Sequence, residues 1–110
     1  MQRTYQLSEI APTRAQGAIN ALLSSVGRRQ SFRSGAVIQL QGDAGNGFWL
    51  IESGQVMVCR YGAGGEQTIF AVLGPGDLFG ELAYFADLPR QVDALAEGDS
   101  TLLLICGVQV

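Results

Sequence analysis

The distribution of glycine limits what this chain can fold into more than any other feature of the sequence. The chain has 15 glycines in 110 residues, roughly twice the average usage. Most of them lie in the middle of the chain, at Gly35, Gly42, Gly45, Gly47, Gly54, Gly62, Gly64, Gly65, Gly74, Gly76 and Gly80. They leave short apolar runs between tight turns, which is typical of many short strands. The sequence therefore predicts a mainly β protein, an antiparallel sandwich or barrel.

The apolar runs between the turns locate the individual strands. The predicted strands cover residues 31–33, 37–40, 48–52, 55–61, 67–73, 90–96 and 101–105, with a short helix at Glu81–Phe85. A length of 110 residues suits a single domain over residues 1–110, with the β-barrel at residues 30–105.

A longer helix is predicted before the strands, at residues 13–27. Apolar residues from Ala15 to Val26 recur at spacings of three and four residues, which places them on one helical face. Thr13 and Gln16 fit a capping box, and Gly27 fits the end of a helix. Residues 1–12 show no period, so we expect an extended lead-in there.

The charge balance argues against nucleic-acid binding by this chain. The formal net charge is −3, and the seven basic residues are all arginines. Binding to many phosphates needs a face rich in lysine or arginine, and the sequence offers none. Arg28, Arg29 and Arg33 cluster around a turn, which favours a solvated edge of the fold.

The two cysteines and the hydropathy pattern predict the compartment. Cys59 and Cys106 both lie in apolar runs, which indicates two buried thiols in a reducing environment. No apolar run reaches the roughly 18 residues of a transmembrane helix, and the N-terminus lacks the hydrophobic core of a signal peptide. We therefore expect a cytoplasmic protein that does not contact a membrane.

One stretch, GPGDLFGELAYFADLPR at residues 74–90, carries the groups that bind a phosphorylated sugar. Gly80 precedes the short predicted helix, whose first N–H groups suit an anion. Arg90 supplies a planar guanidinium that can bind a phosphate through two hydrogen bonds. Glu81 supplies a carboxylate that can accept a hydrogen bond from a sugar hydroxyl.

The motif FGELA…PR in this stretch resembles the phosphate-binding cassette of the cyclic-nucleotide-binding domain. That family includes catabolite-activator-type regulators (the CRP/FNR group), the regulatory subunit of cAMP-dependent protein kinase and nucleotide-gated channels. The resemblance extends to residues 34–58, with the turn QGD at residues 41–43 and the turn SGQV at residues 53–56. Matching segments run from about residue 15 to residue 105, which is nearly the whole chain.

The resemblance implies both a fold and a function. The fold is a double-stranded β-helix, or jelly-roll barrel, with an N-terminal helix and the short cassette helix. The implied function is a sensor module that binds a cyclic nucleotide, with cAMP as the first expectation, in a bacterial transcription regulator. In the family, further helices follow the barrel, cover the ligand and often dimerise, which allows a homodimer. This chain stops five residues after Ile105, so it is a fragment, a truncated product or a stand-alone sensor.

The resemblance also assigns roles to single residues. Glu81 matches the ligand of the ribose 2′-hydroxyl and Arg90 the ligand of the phosphate. Gly80 and Leu82 would supply backbone contacts. The small Ala83 would let the phosphate approach, and Gln91 would lie near the phosphate and the base.

Alternative interpretations of these residues remain open. Glu81 and Arg90 can also form a surface salt bridge, which is common and contributes little. Phe70 and Ala71 are the pocket wall by position, yet they also suit an ordinary core.

The sequence departs from the family pattern directly after Arg90. Nucleotide-binding relatives usually have small residues there, whereas this chain has Gln91 and Val92. Asp93 would oppose a phosphate if its side chain faced the pocket.

Two other classes of function compete with the sensor. The first is a degenerate member of the same fold that does not bind a nucleotide and serves as an interaction or dimerisation domain. The second is a barrel enzyme of the cupin type, which usually holds a metal through histidines. The chain has no histidine and two cysteines, so haem, iron–sulfur and metal sites are not expected. We find no nucleophile paired with a base, so an enzyme is not expected either.

Overall fold

Two antiparallel sheets form most of the protein in a computed structural model, which describes residues 13–14 and 26–106. The elements are β1 Thr13–Arg14, β2 Arg28–Phe32, β3 Val37–Gln39, β4 Phe48–Ser53, β5 Val56–Tyr61, β6 Gln67–Leu73, β7 Asp77–Phe79, α1 Glu81–Phe85, β8 Asp93–Ala96 and β9 Ser100–Ile105. One sheet has the order β1-β7-β4-β9-β2 and the other the order β3-β8-β5-β6. The predicted mainly β, antiparallel class is confirmed.

The core between the sheets comes from residues that alternate along the strands. Trp49 and Ile51 of β4 and Leu102 of β9 project from the first sheet toward Val58 of β5 and Ala94 of β8 in the second. Because side chains alternate along a strand, one strand can supply an unbroken apolar row to this interior. Each fully buried side chain of this size stabilises the fold by about 1.5–3 kcal/mol.

The opposite face of the first sheet is also buried. Phe48 of β4 and Ile105 of β9 belong to a second cluster, against which Tyr84 of α1 packs. The ring of Phe48 lies 5.7 Å from the ring of Tyr84 and 5.4 Å from that of Phe85. The short helix α1 is therefore fixed against one end of β4 by aromatic contacts.

The turn at Gly54 shows why glycine is needed at a sheet corner. Gly54 has a φ of 85°, a conformation that side-chain-bearing residues rarely adopt. A Cβ at this position would lie 2.6 Å from both Asp99 O and the α carbon of Ser100. The turn can therefore pack against β9 only because residue 54 has no side chain.

The N-terminal prediction was wrong at its first residues. Thr13–Arg14 form β1 and pair with β7, so a helix does not begin at Thr13. Pairing with a strand that is distant in sequence outweighs the local capping pattern there. Val26 is helical and Gly27 lies in a bend. Residues 15–25 of the predicted helix and the lead-in at residues 1–12 lie outside the described residues.

The last two predicted strands differ from the structure mainly at one boundary. β8 begins at Asp93, three residues after the predicted start at Arg90. The backbone of Arg90 bonds to the turn at residues 42–43 instead. Its N–H donates to Asp43 O at 2.7 Å, and its carbonyl accepts from Gly42 N–H at 2.9 Å.

The arginine cluster lies at the surface, as predicted. Arg28, Arg29 and Arg33 are all exposed. Arg29 donates to both carboxylate oxygens of Glu52, at 2.7 and 2.9 Å. This pair joins β2 to β4 across the intervening strand β9, and it lowers the pKa of the Glu52 carboxyl.

The prediction that both thiols are buried is confirmed for Cys59 and wrong for Cys106. Cys59 is buried and Cys106 is exposed, and both are free thiols. Burial raises the pKa of the Cys59 thiol. In the part of the chain that the structure describes, no helix is long and apolar enough to cross a membrane.

The two thiols should therefore react in sequence with dithiobis-nitrobenzoate. Cys106 should react at once in the native protein, because only an accessible thiolate is a nucleophile. Cys59, at 0% exposure, should react only when denaturant unfolds the barrel. The measurement is thiol stoichiometry with and without denaturant. The control variant Cys106→Ser should show no rapid reaction, and a rapid reaction in it would contradict the burial of Cys59.

Candidate functional site

Gly80 allows the cassette helix to begin beside an arginine. It occupies the position before α1 with φ 80° and ψ 5°, in the left-handed region. A Cβ at position 80 would lie 2.5 Å from Arg90 Nη1. Glycine is thus required twice, for the backbone conformation and for the close approach of the guanidinium.

Arg90 crosses the interior at this point. It is only 4% exposed. Its Nη1 donates to Gly80 O at 2.9 Å, and its Nη2 donates to Gly47 O at 2.6 Å. A buried charge is costly unless hydrogen bonds compensate it, and these two carbonyl oxygens provide part of that compensation.

The burial of Arg90 argues against a solvent-exposed ion pair with Glu81. Arg90 lies inside the protein, and Glu81 is half-buried. The structure places the two residues next to each other in the cassette. They adjoin through Gly80, which immediately precedes Glu81 and accepts the hydrogen bond from Arg90.

The other cassette residues pack against the turn that precedes β4. Ala83 is fully buried. A Cβ at Gly45 would lie 3.0 Å from the Ala83 methyl group. The small size of residue 83 therefore serves the packing of α1 on the turn, while Leu82 is half-buried.

Gln91 lies next to a second arginine that the sequence analysis missed. Gln91 Nε2 donates to Pro89 O at 2.9 Å. The carbonyl of Gln91 accepts from Arg60 Nε at 2.8 Å. Arg60 follows the core residues Val56 and Val58 at two-residue spacing. Side chains two residues apart in a strand point to the same face, so a charged residue two positions after a buried valine was the signal that would have identified Arg60.

Phe70 and Ala71, the two residues of the predicted pocket wall, lie in different environments. The guanidinium carbon of Arg60 lies 5.9 Å from the centre of the Phe70 ring. Phe70 is 36% exposed, so it is not an ordinary core residue. Ala71 is partly buried and packs against the core between the sheets.

Asp93 is buried, at 8% exposure, but it lies outside the core between the sheets. Its neighbours Val92 and Ala94 are buried in the core between the sheets, so alternation along β8 turns Asp93 to the other face. Asp93 Oδ1 accepts from the backbone N–H of Gln41 at 2.6 Å. The carboxylate thus holds the QGD turn through the backbone of Gln41.

The residues from 29 to 108 match the family model of the cyclic nucleotide-binding domain. The chain belongs to this family. The fold class predicted from the resemblance, the jelly-roll barrel of cyclic-nucleotide-binding domains, is confirmed over the described residues.

Relatives of this cyclic-nucleotide-binding domain come from bacteria and fungi. A cyclic AMP receptor protein of Thermus thermophilus is 37% identical over 78 residues, which are 71% of this chain and 36% of that protein. A cAMP-dependent protein kinase regulatory subunit of Yarrowia lipolytica is 35% identical over 91 residues, which are 83% of this chain and 22% of that protein. The crystal structure of the Thermus thermophilus catabolite activator protein superimposes with a TM-score of 0.72 at 36% identity, covering 78% of this chain and 40% of that one. The chain thus spans between about a fifth and two fifths of these proteins.

Replacement of Gly80 by alanine tests the local geometry of the cassette. Gly80→Ala should lower the free energy of unfolding by more than the roughly 1–2 kcal/mol that left-handed backbone costs a side-chain-bearing residue. The excess should arise from the clash with Arg90.

Gly98→Ala is the matched control, because Gly98 has a φ of 86° and a methyl group at this position would have no neighbouring atom within 4 Å. The measurement is urea unfolding of both variants. Equal losses would show that the approach of Arg90 to Gly80 does not constrain position 80.

Proposed function

We propose that this domain is a sensor module that binds a cyclic nucleotide, with cAMP as its ligand. The observation that carries the proposal is the Arg90 guanidinium, 4% exposed and held beside Gly80 in the cassette. The guanidinium stays charged at any physiological pH. A pre-positioned buried cation favours an anionic ligand, and the relatives named for cAMP point to the nucleotide class.

The proposed mechanism assigns one group of the ligand to each part of the site. Arg90 binds the exocyclic phosphate oxygens through its planar fork. Glu81 accepts a hydrogen bond from the ribose 2′-hydroxyl. The backbone of Gly80 and Leu82, the adjoining Ala83 and the side chain of Gln91 complete the contacts around the phosphate.

We propose that the domain binds its ligand and does not catalyse a reaction. Two relatives are named as a receptor and a regulatory subunit, and one similar solved structure is a catabolite activator protein. We propose that residues 1–110 form one such domain and that its parent is a bacterial transcription regulator. The output would follow from a change in segments next to the barrel, because a ligand shifts an equilibrium by its differential affinity for two states.

A second candidate is a degenerate member of the family that binds no nucleotide. The hydrogen bonds from Arg90 to Gly47 O and Gly80 O favour it. They show that Arg90 has a structural task that does not need a ligand.

Calorimetric titration with cAMP and cGMP tests both candidates. Wild-type protein should bind cAMP saturably, and Arg90→Lys should reduce the affinity roughly 10- to 100-fold. Lysine keeps the charge but cannot form the paired bonds, each worth about 1.5–3 kcal/mol to a charged group.

Arg28→Lys is the matched control, because Arg28 is exposed and its replacement should leave the affinity unchanged. Thermal unfolding of each variant separates a loss of binding from a loss of the fold. A folded wild-type protein that binds neither nucleotide would establish the degenerate candidate.

A further inference from the structure

Two buried polar groups share a cavity next to the cassette. Gln39 is 4% exposed and Trp49 is 6% exposed. Within the part of the chain that the structure describes, Gln39 Oε1 and Trp49 Nε1 have no hydrogen-bond partner. Both residues line a cavity of about 140 Å³, together with Asp43, Asn46 and Arg90. Buried polar groups are rarely left unsatisfied, so a molecule in this cavity is the expected partner.

The chemistry of that molecule follows from the two orphaned atoms. Gln39 Nε2 donates to Val92 O at 3.0 Å. Only the amide nitrogen can donate a hydrogen bond to a carbonyl. Oε1 is therefore the amide atom without a partner, and it is an acceptor. The indole nitrogen of Trp49 is a donor only. A molecule that pairs with both atoms must therefore donate to Gln39 Oε1 and accept from Trp49 Nε1, and water can do both.

The size of the cavity agrees with this chemistry. A water molecule needs roughly 10–15 Å³ of such space, so the cavity has room for several. Dry cavities are lined by apolar side chains. This cavity has charged and amide groups in its wall, which favours hydration.

The cavity adjoins the proposed phosphate position. A Cβ on Gly80 would lie 2.5 Å from Arg90 Nη1 and 3.6 Å from Gln39 Oε1. Both atoms therefore face the same small space above the α carbon of Gly80. An anion that binds Arg90 comes within the reach of one water molecule from Gln39.

We propose that this cavity is a water-filled subsite of the ligand cleft, through which Gln39 and Trp49 contact the phosphate held by Arg90. The water accepts from Trp49 Nε1 and donates to Gln39 Oε1 and to a phosphate oxygen. Water-mediated hydrogen bonds are nearly as favourable in enthalpy as direct ones. This inference rests on the proposed cyclic-nucleotide function and adds Gln39 and Trp49 as positioning residues.

Trp49 makes the subsite observable, because it is the single tryptophan of the chain. Its indole N–H therefore gives one resonance in a ¹H–¹⁵N spectrum of the purified protein. Wild-type protein should show a cross-peak between this N–H and water. The resonance should shift on saturation with cAMP. An indole N–H without a bound water molecule would give no water cross-peak.

Three variants test the contribution of the subsite to affinity. Gln39→Leu removes the acceptor and should weaken cAMP binding roughly tenfold, with a smaller shift of the Trp49 resonance. Trp49→Phe removes the donor but keeps an aromatic ring against Phe32 and Phe79, and should weaken binding several-fold. Gln41→Leu is the matched control, because the side chain of Gln41 is exposed, and its affinity should equal that of the wild type.

The outcomes separate this inference from the function on which it rests. If wild-type protein binds cAMP and both cavity variants bind it equally well, the subsite is overturned and the proposed function stands. The subsite is also overturned if cAMP binds without a water cross-peak or a shift at Trp49. If wild-type protein does not bind cAMP, the proposed function fails and the subsite as a ligand contact fails with it.

Discussion

The buried charge of Arg90 inside an apolar barrel is the constraint on which the rest of the site depends. The Arg90 guanidinium is buried among residues that leave it little contact with solvent. Transfer of such a group from water is unfavourable unless neighbouring groups replace its hydration. The carbonyl oxygens of Gly47 and Gly80 do so in part. At Gly80 the close approach also requires a residue without a side chain. Gly80 therefore serves the arginine as well as the start of α1.

The backbone of Arg90 also links the cassette to the turn before β4. Its N–H and its carbonyl bond to Asp43 and Gly42 in the turn before β4. Asp93 holds the adjoining residue of that turn through the backbone of Gln41. The segment between α1 and β8 and the QGD turn thus form one hydrogen-bonded unit. A ligand that binds Arg90 would act on this whole unit, because its parts cannot move independently without losing these bonds.

The cassette connects strands of the two sheets, which would let the proposed ligand act on both. α1 packs on the outer face of the first sheet through Tyr84 and Phe85, whereas Arg90 leads directly into β8 of the second sheet. The cassette therefore joins the two layers at one end of the barrel. Within α1, Ala83 is fully buried, whereas Phe85 at the C-terminal end of the helix is 44% exposed.

The sequence by itself determined the fold class, the strands near their observed bounds, the helix at Glu81–Phe85 and the cassette residues Gly80, Glu81 and Arg90. Those features depend on local patterns: glycine at turns, two-residue alternation in strands and a motif within 17 residues. The tertiary structure decided what depends on distant neighbours. It showed that Thr13–Arg14 pair with β7, that Asp93 holds a turn, that Arg60 contacts Gln91 and that Gln39 and Trp49 share a cavity. Local sequence spacing predicts neither the partner of a side chain nor the cavities around it, because both arise only when strands far apart in the chain pack together.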